Sequence, residues 1–148
     1  MSLTNIDALV SQAQYRGMAS TQSRVTRAWL LQNATRFDRV EFEVHVGKGA
    51  TPKAEWPEST RTQFLHQTQK RIDVVAWAGD FPVIVEVKKQ LNVAAIGQCL
   101  AYRVLWMADN PGHPEPSMVM VGETADQDVI TAAHLHAIDV ELYPVESA

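Results

Sequence analysis

From Val40 to Val46 apolar and polar residues alternate without a break, the period of a β-strand with one face buried, and Gly47 and Gly49 end the run. On this reading Val40, Phe42, Val44 and Val46 face inward and Glu41, Glu43 and His45 form the wet side. Upstream, Ser20 to Asn33 predicts an amphipathic helix with Val25, Ala28, Trp29 and Leu31 near one face and Ser20 or Thr21 as cap. Residues 1–19 form an arm before it. Residues 47–69 hold two Pro and two Gly with little periodicity, which predicts a long loop interrupted by one helical turn around Thr60 to His66.

Arg71 to Ala78 and Phe81 to Lys88 read as two strands joined by the turn signal Gly79-Asp80, a hairpin. From Asn92 to Met107, Val93, Ile96, Leu100, Val104 and Met107 recur at three- and four-residue steps, the apolar face of a helix closed by Asn110-Pro111-Gly112. Ser117 to Val121 predicts a short strand, Asp126 to Leu135 a capped helix, and Ile138 to Tyr143 a last alternating strand. The order is α-β-β-β-α-β with a C-terminal α-β extension: an α/β domain on a mixed sheet, spanning 1–148 as one unit.

Composition changes this picture little. An apolar fraction of 46% and a charged fraction of 20% suit a soluble globular chain, and no run of about 18 apolar residues is available to span a bilayer. The first residues, with Asp7 inside their apolar part, lack the basic start and long apolar stretch of a secretory signal, so a cytoplasmic location is expected. The single cysteine, Cys99, can neither close an internal disulfide nor anchor a zinc cluster and is expected to pack in the core. Net charge is −4, but residues 1–72 carry ten bases against six acids and residues 73–148 three against eleven. That asymmetry points to a side that faces a polyanion.

The chemistry is concentrated on the hairpin. Residues i and i+2 of a strand share a face, so Glu86 and Lys88 project together beyond Val83-Ile84-Val85, and Asp73 begins the partner strand. Two carboxylates can hold a hard divalent cation such as Mg²⁺ or Mn²⁺, with the backbone carbonyl of Val87 as a further ligand. Such a cation acidifies its water and neutralises phosphoryl charge, and Lys88 would orient or deprotonate the water or stabilise the developing charge. Lys48, Lys53, Arg61, Lys70 and Arg71 surround the long loop and could track phosphates, with Trp56 and Phe64 either stacking on bases or pinning the loop. His134 and His136 have poor spacing for a shared metal, and Gly47-Lys48-Gly49 lacks the pattern of a phosphate-binding loop.

Ile72-Asp73 followed by Glu86-Val87-Lys88 resembles the signature of the PD-(D/E)XK nuclease superfamily, and Gln98 and Tyr102, four residues apart on one helix face, resemble the QxxxY motif of its RecB-related branch. The resemblance covers roughly residues 20 to 122. It implies a restriction-endonuclease-like fold, Mg²⁺- or Mn²⁺-dependent cleavage of DNA by Asp73, Glu86 and Lys88, and a supporting, nucleic-acid-contacting role for Gln98 and Tyr102. Many members place a glutamate on the first helix as an extra ligand, but Ser20 to Asn33 holds no acid. Glu41 and Glu43 are the candidate substitutes, Glu43 the preferred one. Two other readings stay open: a nuclease-fold protein that binds nucleic acid or a partner without turnover, and an enzyme acting on RNA. One chain has one site, so cutting both strands of a duplex calls for a homodimer or two visits.

Overall fold

In a computed structural model, which describes residues 2–12 and 14–145, the described residues form five helices and seven strands. They are α1 (Ser2–Val10), α2 (Ser20–Gln32), β1 (Arg39–Val46), α3 (Glu58–Thr68), β2 (Lys70–Ala78), β3 (Phe81–Val87), β4 (Gln90–Leu91), α4 (Val93–Asp109), β5 (Ser117–Gly122), β6 (Thr124–Ala125), α5 (Gln127–Leu135) and β7 (Ile138–Leu142). Five strands make one mixed sheet in the order β1-β2-β3-β5-β7. The first three pair antiparallel, and β3, β5 and β7 run parallel. Each parallel step is carried by a crossover helix, α4 and then α5, as parallel neighbours require. Among the described residues no helix is long and apolar enough to cross a membrane.

The central strands are buried on both faces. Val83, Val85 and Val87 of β3 and Val119 and Val121 of β5 pack toward Val25, Trp29 and Leu30 of α2. Met118 and Met120 of β5 pack toward Ala95, Ile96 and Cys99 of α4 and Val129 and Ala133 of α5. Ile84 joins Tyr102 and Trp106 of α4. Side-chain caps set where the crossover helices begin: Asn92 Oδ1 accepts from the Ala95 N–H at 3.1 Å, and Asp126 Oδ1 from Val129 N–H at 2.9 Å.

Four expectations are corrected. The 47–69 segment is not mostly loop, because α3 occupies Glu58–Thr68, three turns where one was expected; none of its residues is fully buried, so it left no apolar stripe to read. On α4 the inner face is Ala95, Ile96, Cys99, Tyr102 and Trp106, while Val93, Val104 and Met107 are exposed. The helix is apolar nearly all round, so periodicity alone selected the wrong side. Helix α2 is entered from Ala19 rather than from a Ser20 or Thr21 cap, with the Ala19 N–H donating to Gln22 Oε1 at 3.0 Å.

The fourth correction concerns β1. Val40 and Phe42 pack with the α2-side core, but Val44 and Val46 join the α4-side core, although all four share one parity. Strand β2 does the same: Ile72 faces α4, and Val74 and Ala76 face α2. Glu43 lies at the switch, with φ of 51°, a left-handed conformation rare for residues other than glycine. It reverses the face that each following residue presents. The unbroken alternation of the sequence thus belongs to a strand that turns over at its middle.

Gly122 shows how tightly the end of β3 is fitted. A Cβ there would lie 2.7 Å from the Lys88 carbonyl oxygen and 2.8 Å from Leu91 Cγ. Gly122→Ala is therefore expected to destabilise the fold by about 1–3 kcal/mol, measured by urea denaturation, because a methyl group is forced into filled space.

Candidate active site

The β2–β3 ladder runs from Ala78 opposite Phe81 to Val74 opposite Val85. One step further in the same register sets Asp73 against Glu86, and there the two strands part: Asp73 Oδ2 accepts from the Val87 backbone N–H at 2.9 Å. On the other side of β2, Phe42 pairs with Val74 and Val44 with Ile72, so Glu43 stands level with Asp73. Glu43, Asp73 and Glu86 thus form one row across three strands, at the point where β1 and β2 turn over.

The Asp73–Glu86 end of the row is held in low-dielectric surroundings. Glu86 is 4% exposed, its Oε2 has no hydrogen-bond partner, and its carboxyl lies close enough to that of Asp73 for each charge to act on the other. Burial first, and then the Asp73 charge, push the Glu86 pKa up to about 8; Lys88, with Nζ 3.9 Å from Glu86 Oε1, opposes that rise. Burial also raises Asp73, against the Val87 hydrogen bond and the Lys88 charge. Near neutral pH the raised pKa favours the protonated form of Glu86, with Lys88 opposing it.

The neighbours confirm this concentration of charge. Cys99 is pushed up to about 12 by burial, with Glu86 and Asp73 adding to it, so its thiol stays protonated and packs as expected of a core cysteine. Burial and the same two carboxyls raise Tyr102, and Gln98 opposes that rise. Gln98 and Tyr102 are thus brought together beside the carboxyl pair, and Gln98 Oε1, buried, has no partner.

An orphaned, desolvated carboxylate oxygen next to a second carboxyl is a donor set that suits a divalent cation. Among the described residues no three His, Cys, Asp or Glu side chains gather as a metal-binding group. Asp73 and Glu86 would therefore be the side-chain ligands, which suits a hard cation that keeps waters and takes other oxygens from substrate. The Val87 carbonyl already accepts from Gln22 Nε2 at 3.1 Å, leaving one lone pair. Glu41 is committed elsewhere, accepting from Trp77 Nε1 at 2.6 Å.

A cavity of about 360 Å³ opens onto Asp73 and Tyr102, with Arg16, Glu43, Gln69, Lys70 and Arg71 around it. Of the cations expected from sequence, Lys70 and Arg71 are here. Lys48 lines a neighbouring cavity, Lys53 sits 5.8 Å above the Trp56 ring, and Arg61 donates to the carbonyls of Ala54 and Trp56. Trp56 meets Phe64 edge-on at 5.2 Å, so Arg61 and this aromatic pair hold the segment before α3 to the helix. Arg16 and Gln22 escaped sequence reasoning: both reach the site from the N-terminal part of the chain, and neither belongs to a motif or a periodic stripe.

The raised Glu86 pKa has a sign. Folding raises it from an ordinary 4.5 to about 8, so the folded state keeps a proton that the unfolded chain loses. Its stabilising contribution is complete below pH 4.5 and is lost as pH rises through about 8. In chelator, the melting temperature should therefore fall across this window and the fall should flatten in Glu86→Gln; an unchanged slope in that variant would assign the effect to other groups.

Compared with protein-family models, curated proteins and solved structures, the chain matches none, and the function of this site has to be read from its own chemistry.

Proposed function

We propose that the chain is a Mg²⁺- or Mn²⁺-dependent nuclease of the PD-(D/E)XK type that hydrolyses phosphodiester bonds of DNA. The observation that carries the reading is the buried, unpartnered Glu86 carboxylate oxygen level with Asp73, with Lys88 beside it, where the hairpin ladder opens. The element order supports it: an antiparallel meander β1-β2-β3, a crossover helix α4, and β5 parallel to β3, the core expected of a restriction-endonuclease-like fold. Gln98 and Tyr102, four residues apart on α4, support the likeness to the RecB-related branch.

In this reading Asp73 and Glu86 would hold the cation, which would supply the positive charge that their burial otherwise denies them. The cation would acidify a bound water and neutralise phosphoryl charge. Lys88, close to Glu86 Oε1 but not tightly paired with it, orients the attacking water or meets the developing negative charge. Gln98 and Tyr102 fix the wall against which the substrate lies. A homodimer would supply the second site needed to cut both strands of a duplex.

One observation favours a second reading, a nucleic-acid-binding module without turnover. The α2 side chain that reaches the site is Gln22, an amide, where an acid would have completed a third ligand.

The two readings separate in one assay. With single-stranded, duplex and branched DNA and with RNA, cleavage is expected in Mg²⁺ or Mn²⁺ and not in chelator. Asp73→Ala, Glu86→Gln and Lys88→Ala should each lower the rate by about 10²-fold or more. Binding without metal-dependent cleavage by the parent protein would establish the second reading, and cleavage surviving all three substitutions would remove the site from the chemistry.

A further inference from the structure

Glu43 holds an unusual position for a carboxylate. Its Oε2 accepts from Arg16 Nε and its Oε1 from Arg71 Nη1, each at 3.0 Å. The two arginine side chains are 77% and 52% exposed and the carboxylate 19%, so the cations line an open cavity and the anion lies inside their fork. A group with two equivalent charged oxygens, each taken by a different guanidinium, has the same hydrogen-bonding pattern as the two non-bridging oxygens of a phosphodiester. Lys70 lines the same cavity, and Asp73 opens onto it.

The backbone places the carboxylate there. Glu43 has φ of 51°, an unfavourable conformation for its residue type, and Gly17, at φ of 77°, brings its backbone so close that a Cβ would lie 3.1 Å from Glu43 Cδ. The exposed ion pairs themselves are weak and exchangeable.

We propose that Arg16 and Arg71 form a subsite for a phosphate of the nucleic-acid backbone, next to the phosphate at the Asp73–Glu86 pair, and that Glu43 is its internal occupant, displaced when substrate binds. The assignment rests on reading the site as one for phosphodiesters and adds a recognition element to it. Glu43 keeps the two guanidiniums ordered and facing the cavity in the free protein, and the entering phosphate exchanges one anion for another without leaving either cation unpaired.

The test is equilibrium binding of a fluorescein-labelled single-stranded DNA oligonucleotide in chelator, followed by anisotropy, so that no turnover is involved. Glu43→Gln removes the competing charge and should tighten binding about two- to five-fold, the scale of an exposed ion pair. Arg16→Ala, at an exposed position, should weaken binding, and the gain from Glu43→Gln should disappear in the Arg16→Ala, Arg71→Ala background. Glu115→Gln, the loss of an exposed acid from the Arg103 pair, should change nothing. Weaker or unchanged binding by Glu43→Gln would overturn the proposal, as would a gain that persists without the arginines, or unaltered affinity in Arg16→Ala. Cleavage in Mg²⁺ is measured separately, so a nuclease lacking this subsite and a binder lacking turnover give different results.

Discussion

Two carboxyl groups, Asp73 and Glu86, lie side by side in a place with little water, and the rest of the site is organised around their mutual repulsion. Left ionised they would repel, and each would lack solvation. Two groups moderate the conflict, the Val87 N–H on Asp73 and the Lys88 ammonium near Glu86, and the raised pKa of Glu86 favours its protonated form. Neither group satisfies Glu86 Oε2. A fold that keeps such an oxygen desolvated forgoes stability at this point, a pattern typical of sites built for a ligand rather than for packing.

The constraint reaches into the architecture. The strands part at Asp73 and Glu86 because the Asp73 side chain, and not the opposite backbone, receives the Val87 N–H. In the same row β1 and β2 turn over, with Glu43 in a left-handed conformation. This exchange of faces lets Ile72 and Val46 be buried beneath α4 while Val74 and Phe42 pack toward α2. The sheet is thus locally least regular where its charged side chains are densest, and Gly122 allows the chain after β3 to close over that irregularity.

Much of this was legible from sequence, for definite reasons. Asp73, Glu86 and Lys88 stood out because charged residues ending an apolar strand have few structural explanations, and Gly79-Asp80 fixed the register that brings them together. Gln98 and Tyr102 were named by their resemblance to the QxxxY motif, whose four-residue spacing sets both on one face of α4. The inner face of α4 was not legible, because an almost uniformly apolar helix carries no directional signal. The turning over of β1 was hidden by an alternation that runs through it undisturbed, and α3 by its lack of buried residues. Arg16 and Gln22 come from chain segments whose place beside the hairpin is settled only by tertiary packing.

On the proposed reading, a divalent cation takes the place of the proton that the raised pKa keeps on Glu86. Calorimetric titration of the protein with Mn²⁺ near neutral pH, repeated in buffers of different ionisation enthalpy, measures that exchange directly. The account predicts release of about one proton per bound ion, a release that vanishes in Glu86→Gln. Binding of Mn²⁺ with no proton released, or no binding at all, would contradict it.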